Sequence, residues 1–121
     1  MVELHYQELN LMQILDVLRP GGVARLALAE DGQPYVVPMA FQLEVQQVQP
    51  ILHLASPATG RKVDILRAND QVCLEVECPG VAWFDVVLAE GTATLGAAQE
   101  EGVHIRVYPH TLSGRRFFLT P

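Results

Sequence analysis

Lysine is nearly absent from this sequence, and acidic residues outnumber basic ones. The chain has a single lysine, Lys62, among eight basic residues, against fourteen acidic residues, and its formal net charge is -6. Proteins that bind nucleic acid need a basic surface to displace the counterions around the phosphate backbone. We therefore expect no nucleic-acid partner.

Cysteine and long apolar runs are also scarce. The two cysteines, Cys73 and Cys78, lie on a predicted strand and at the turn after it, with no Cys or His pair at zinc-ligand spacing. They predict reduced thiols and no metal site. No apolar run approaches the roughly 20 residues of a membrane span, and the N-terminus lacks the residue order of a signal peptide. We expect a cytoplasmic protein with no membrane partner.

Apolar residues, in contrast, make up 50% of the 121 residues. The length falls in the usual range of one domain, roughly 100 to 150 residues, so we expect a single domain over residues 1–121. The apolar content is high for a soluble domain of this size. It indicates a well-filled barrel and a buried subunit interface.

The first segment with a clear period is Gln7 to Leu18. Its leucines at 11, 15 and 18 follow helical spacing, and Pro20 with two glycines ends the pattern. We predict one amphipathic helix that packs against the rest of the protein.

From residue 23 the pattern changes to short runs rich in valine and leucine. The first two runs, 23–29 and 34–45, flank Asp31-Gly32, a pair that supplies the positive φ of a tight hairpin turn. Pro38 cannot donate a ladder hydrogen bond, so the second strand must be an edge or be bulged there. Gly91 predicts another bulge or corner. The remaining predicted elements are strands at 50–55, 71–77, 83–95, 103–108 and 115–119, and a short helix from Arg61 to Ala68.

About six strands with few helices favour a mainly β fold, an antiparallel barrel, over parallel β-α-β units.

The segment with the clearest chemistry follows the third strand, where a helix begins with Arg61 and Lys62. A helix N-terminus is already positive, so two cations there are unfavourable unless an anion joins them. A phosphate would relieve the conflict. A solvated basic turn paired with acidic residues such as Asp64 explains the spacing equally well.

Three stretches, taken in order, resemble a known family: LALAEDGQPYVVPMAF at 26–41, GRKVDILRANDQVCLEV at 60–76 and DVVLAEGTA at 85–93. They are similar to the FMN-binding split barrels of the pyridoxamine 5'-phosphate oxidase-like group, including its nitroimidazole-reductase-like branch. The resemblance implies a Greek-key split β-barrel and a homodimer with FMN at the subunit interface. It also implies an oxidoreductase, a flavin-dependent reductase or oxidase acting on a small-molecule substrate that the sequence does not define.

Carried onto this chain, the resemblance implies that Arg61 and Lys62 bind the FMN phosphate. The loop before them would contribute Gly60 and the hydroxyls of Ser56 and Thr59. A further stretch would pass the flavin ring and offer it backbone groups, namely Pro38, Met39, Ala40 and Phe41.

Three more residues occupy positions near the flavin in relatives, and each has a simpler explanation. His53 is either close to the flavin or a half-buried strand histidine bonded to backbone. Trp83 either covers the flavin of the partner subunit or caps a barrel end. Asp85 either accepts a hydrogen bond from the flavin ring or, as we expect, points to solvent.

Two departures from the family pattern concern activity. The helical insertion that relatives carry after Gly91 is reduced to a short stretch at 97–101, and the C-terminal extension of the oxidase proper is missing. We therefore do not expect true pyridoxamine phosphate oxidase activity. Two alternatives stay open: a non-catalytic module that stores or senses flavin or haem, and a reductase that uses a deazaflavin. The sequence assigns no catalytic residue.

Overall fold

Residues 3–120 are described by a computed structural model, with side chains described over 5–119. These residues form seven strands and two helices. Their bounds are β1 (Glu3–Glu8), α1 (Leu11–Leu18), β2 (Gly22–Glu30), β3 (Gln33–Gln46), β4 (Gln49–Ser56), α2 (Arg61–Ala68), β5 (Gln71–Pro79), β6 (Trp83–Leu95) and β7 (Val103–Thr120).

Six of the strands close into an antiparallel barrel. Around the barrel their order is β2, β3, β4, β7, β6 and β5, and β5 returns to pair with β2. Strand β1 lies outside this ring and pairs with the second half of β7. The predicted barrel of about six strands is confirmed, with one added strand.

The turns explain how the strands reverse. Asp31 and Gly32 have φ values of 51° and 77°, so the predicted turn between β2 and β3 is confirmed. The β3–β4 turn also uses positive φ, at Gln47 and Val48, although neither residue favours it. Nothing in the sequence indicated that second turn.

Two irregular positions in the strands agree with the sequence. Pro38 is opposite Arg25 of β2, while the pairing of β3 with β4 begins only at Phe41, so β3 is locally an edge at the proline. The register of β6 against β7 shifts between Glu90 and Gly91, as expected of a bulge. A side chain at 91 would collide with the carbonyl oxygen of Tyr108.

The core lies inside the barrel and is built from the inward-facing residue of each strand. Fully buried examples are Leu26, Leu52, Leu74, Val87 and Ile105. Alternation along the strands places polar and small residues on the outer face, together with some exposed apolar side chains such as Val23 and Val36. Helix α2 contributes three buried residues of its own, Val63, Ile65 and Leu66.

The predicted N-terminal helix begins later than expected. Gln7 and Glu8 belong to β1, where they lie opposite Arg116 and Arg115, and α1 starts at Leu11. Asn10 fixes this start, because its side chain accepts from the backbone N–H of residue 13 while the Gln13 side chain accepts from the backbone of Asn10.

Helix α1 packs against β5, β6 and β7 through Ile14, Leu15 and Leu18. Leu11, which the sequence placed on the apolar stripe, is 41% exposed. Gly114 of β7 makes the close approach possible, since a Cβ there would lie 2.8 Å from Cγ1 of Ile14.

The C-terminal strands and the cysteines also differ from expectation. The two predicted strands at 103–108 and 115–119 are one strand, β7. Cys78 lies within β5 opposite Asp85 rather than in the turn. Both thiols are unpaired and partly buried, and burial is the main cause that raises the pKa of Cys73.

Candidate functional site

The N-terminus of α2 presents two cations without an acidic partner. Gly60 precedes the helix at φ 126° and no side chain caps it. The guanidinium of Arg61 lies 4.2 Å from the centroid of the Tyr35 ring. Among the described side chains, no carboxylate lies within 4.0 Å of Arg61 or Lys62. The ion pair with Asp64 that the sequence left open is therefore not formed.

Burial lowers the pKa of Lys62 below its ordinary value of 10.5. The cause is desolvation, which disfavours the charged form of an amine that has no anion beside it. An anion bound at this point would reverse the effect. The helix start therefore has the electrostatic character of an anion site.

The loop before α2 is less suited to an anion than the helix itself. Ser56 is buried and its hydroxyl donates to the carbonyl of Pro57 at 2.9 Å, whereas Thr59 is exposed. Both line a cavity of about 550 Å³ that Glu100 and Glu101 also border. Because these two carboxylates repel a phosphate, the favourable position lies at the Arg61 and Lys62 side of the loop.

The side chains of residues 38–41, the stretch predicted to pass the flavin ring, point alternately to the two faces of β3. Met39 and Phe41 are buried in the core, whereas Pro38 and Ala40 are exposed on the outer face. Only small side chains and backbone of this stretch are therefore available to a flat ligand outside the barrel. That this stretch offers backbone groups to a flavin stays a prediction.

Three cavities meet at Ala55 on the outer face of β4. The first, of about 440 Å³, is lined by Ala40 and His53 among others. The second, of about 480 Å³, lies against the short loop between β6 and β7. The third is the cavity beside Thr59. Together they form an open groove whose lining combines small residues such as Ala40 and Ala55 with polar residues such as His53 and His104.

His53 stands in a chain of side chains that crosses this groove. Its Nε2 lies 2.7 Å from Oε1 of Glu44, and its Nδ1 lies 2.8 Å from Nε2 of His104. The register explains the contact: His53 is opposite Gln42 on β3 and Arg106 on β7, so Glu44 and His104 are its diagonal neighbours on one face. His53 is half-buried as expected, but its partners are side chains rather than backbone.

Sequence reasoning missed Glu44 and His104. The alternation of Val103, Ile105 and Val107 places His104 on the outer face, but only the pairing of β4 with β7 brings it to His53. Hydrogen bonds from Gln46 and His53 lower the pKa of Glu44. Desolvation, followed by the charges of Arg106 and His53, lowers the pKa of His104 from 6.5. At neutral pH the chain therefore holds a carboxylate and a neutral His104.

Asp85 does not point to solvent, and that expectation is wrong. It is 3% exposed and accepts two hydrogen bonds from Arg116, at 2.8 and 2.9 Å. The same guanidinium lies 4.2 Å from the Trp83 ring. Asp85 and Arg116 are directly opposite on β6 and β7, so the pair is a cross-strand contact.

Trp83 and Asp85 lie far from the cations of α2 within one chain. Helix α2 leads into the start of β5, whereas Trp83 and Asp85 lie beside its end. Nine extended residues span roughly 25 Å. The structure therefore gathers His53 and Ala40 around one groove but does not bring Trp83 or Asp85 to Arg61 and Lys62 of the same chain.

Two further observations concern other classes of site. The described side chains include no group of three or more His, Cys, Asp or Glu that could hold a metal ion. Neither of the helices in the described range is long and apolar enough to cross a bilayer.

Solved structures share the fold at low sequence identity. A FAD-binding protein from Mesorhizobium loti has a TM-score of 0.84 at 23% identity, over 95% of this chain and 98% of that one. A candidate 5-nitroimidazole antibiotic resistance protein from Bacteroides thetaiotaomicron has a TM-score of 0.82 at 14% identity, over 98% and 93%. A FAD-binding protein from Mycobacterium smegmatis has a TM-score of 0.72 at 19% identity, over 93% and 98%.

These similarities confirm the predicted split-barrel fold. None of the curated proteins matches this chain in sequence. The family model of pyridoxamine 5'-phosphate oxidase matches residues 12–106, which include the whole barrel up to the first part of β7. This chain belongs to the pyridoxamine 5'-phosphate oxidase family.

Proposed function

We propose that this protein is an FMN-binding oxidoreductase that acts on small molecules as a cytoplasmic homodimer. The observation that carries the proposal is the pair of cations at the start of α2, which form no ion pair with a described carboxylate although Asp64 lies in the same turn. Two solved relatives of the same fold are FAD-binding proteins, which favours a flavin as the anionic ligand.

The residues present suit FMN. Arg61 and Lys62 would hold the terminal phosphate, together with the free N–H groups of the first turn of α2. The small residues Ala40 and Ala55 leave the outer face of β3 and β4 open to a planar ring. Bound FMN would supply the electron transfer, and the protein would bind and orient it and set its surroundings.

The test is the flavin content of an Arg61→Ala, Lys62→Ala double variant. Because each cation would make a charge-assisted hydrogen bond to the phosphate, we expect FMN affinity to fall at least about a hundredfold. The matched control, Arg19→Ala with Arg67→Ala, removes the same charge elsewhere and should leave FMN binding unchanged. Equal FMN affinity in the two double variants would refute the phosphate assignment.

Lys62 also permits a direct test, since it is the only lysine in the chain. Reductive methylation with ¹³C-formaldehyde labels this amine and the N-terminus alone, so its pKa can be read by NMR. The free protein should show a pKa below 10.5, and addition of FMN should raise it. No change on saturation with FMN would place the phosphate elsewhere.

The identity of the ligand is determined by extracting the bound cofactor from protein that was purified without added flavin. We expect FMN by chromatography and mass spectrometry. If FAD, a deazaflavin or haem is recovered instead, that compound replaces FMN as the proposed ligand. A tight flavin complex whose turnover of NAD(P)H with an added acceptor does not exceed that of free FMN would favour the non-catalytic alternative.

The dimer is supported by exposed apolar side chains on the outer face of β2 and β3. Val23 is 65% exposed and Val36 is 60% exposed, on the side of the sheet that carries Ala40. A second copy would cover them and complete the groove with residues such as its own Trp83. Light scattering should give a dimer for the wild type and a monomer for Val23→Glu with Val36→Glu. Val48→Glu, at the exposed β3–β4 turn, is the control and should stay dimeric.

A further inference from the structure

The hydrogen bonds that join Glu44, His53 and His104 decide which ring nitrogen of each histidine carries a proton. A carboxylate only accepts hydrogen bonds, so Nε2 of His53 carries the proton that faces Glu44. In the state in which both imidazoles are neutral, Nδ1 of His53 is then an acceptor and takes the Nε2–H of His104. Nδ1 of neutral His104 is left with its lone pair, and no described residue donates to it.

That free nitrogen belongs to a residue that borders two of the cavities. His104 is exposed and lines both the groove beside Ala40 and the cavity under the short β6–β7 loop. Arg106 and Glu101 are the other charged side chains that line the second cavity. A small molecule on this floor would therefore meet an imidazole lone pair, a cation and a carboxylate.

We propose that His104 is a general base that removes the proton of an O–H or N–H group from a small molecule bound in these cavities. His53 and Glu44 are positioning residues. This inference rests on the proposed function, and it names the substrate class: a hydrogen donor such as a hydroquinone, an alcohol or an amine.

The proposed reaction is a dehydrogenation of the substrate. The O–H or N–H bond of the substrate breaks, its electron pair stays on the substrate, and the proton forms an N–H bond at Nδ1 of His104. Two electrons and the second hydrogen would leave the substrate as a hydride equivalent, which bound oxidised FMN would accept. The Nε2 proton of His104 then shifts to His53, where the positive charge lies beside the carboxylate of Glu44. The reverse reaction returns the proton to a quinone or carbonyl oxygen.

The proton order is tested by NMR of protein labelled with ¹⁵N-histidine. At pH about 8 we expect protonated Nε2 and unprotonated Nδ1 on both rings, and His104 should titrate below its ordinary value of 6.5. His53→Gln and His104→Gln assign the signals. The Glu44→Gln variant removes the carboxylate that fixes the proton of His53 at Nε2, so both tautomers of His53 should then be populated. A proton on Nδ1 of neutral His104 would overturn the relay.

The base is tested in the reverse direction with menadione as the probe. Protein with FMN reduced by dithionite is mixed with menadione, which gains a hydride equivalent from FMN and a proton from the His104 imidazolium. The rate should fall as pH rises through the pKa of His104. In His104→Gln we expect a rate about a hundredfold lower with no such pH dependence.

The control is His110→Gln, an exposed histidine of the same strand that bonds only Thr111 among described residues. It should keep the wild-type rate and pH profile. Bound FMN is measured in every variant, so the two proposals fail separately. Flavin retained in His104→Gln with an unchanged pH profile overturns the base alone. Wild-type protein that binds no flavin overturns the proposed function and this reaction with it.

Discussion

Two arginines of this protein lie over aromatic rings at the same distance and have opposite surroundings. Arg116 lies 4.2 Å from the Trp83 centroid and is held by both oxygens of buried Asp85. Arg61 lies 4.2 Å from the Tyr35 centroid and has no carboxylate beside it. The hydrogen bond and charge of Asp85 raise the pKa of Arg116, whereas burial without a counter-charge lowers that of Lys62 next to Arg61.

The difference separates a structural cation from one that is free to bind. Arg116 uses its N–H donors within the chain, and its loss would leave a buried carboxylate unpaired. Arg61 keeps its donors, while stacking on Tyr35 holds the guanidinium in place. Stability measurements on the two sites should therefore give different results.

The largest effect is expected for Arg116→Ala. Removing Arg116, whose side chain is 29% exposed, takes both hydrogen bonds from the buried carboxyl group of Asp85, so the free energy of unfolding should fall by about 2 kcal/mol. Urea denaturation followed by far-UV circular dichroism measures it. Arg116→Ala with Asp85→Ala should recover part of the loss, because no charge is then stranded. A loss no larger than that of Arg67→Ala would contradict the structural role of Arg116.

A much smaller effect is expected for Arg61→Ala in protein without flavin. The variant loses a cation–π contact of about 0.5 kcal/mol, and it gains a similar amount because a cation leaves the positive end of α2. The unfolding free energy should change by less than about 0.5 kcal/mol. Added FMN should stabilise the wild type more than this variant, which keeps only Lys62 at the phosphate, and thermal shift measures the difference.

The smallest effect concerns pH and Lys62. Its folded pKa lies below 10.5, so between the two values the unfolded chain binds more protons and stability rises with pH. Comparison of wild type with Lys62→Met from about pH 8 to 11 isolates this contribution. FMN should abolish or reverse the slope, because a phosphate favours the charged amine. A slope unchanged by saturating FMN would argue against contact with Lys62.

The elements that the sequence predicted correctly are those set by their own residues. Most of the elements and contacts that it did not predict depend on pairing between residues far apart in the sequence. The Asp31-Gly32 turn and the helix at 61–68 follow from their own residues, and the structure confirms both. Strand β1 does not, because its partners are 115–120 at the far end of the sequence. The Gln47-Val48 turn adopts positive φ without glycine because strands β3 and β4 fix its ends.

The same limit applies to the site. Arg61 and Lys62 are recognisable because a helix start makes neighbouring cations unfavourable. Asp85 lies 31 positions from Arg116, and His104 lies 51 positions from His53. No local pattern reports such contacts. Sequence therefore indicated the two cations of α2, whereas only the structure shows the contacts of His53 with Glu44 and His104.

Strand β7 hydrogen-bonds with β4, β6 and β1, and it follows all of them in the sequence. During synthesis the backbone edges of β4 and β6 have no partner until residue 103 onward has left the ribosome. Exposed strand edges of this kind are templates for aggregation. The barrel can therefore close only after β7 has been synthesised, so its folding must be completed late in translation or after it.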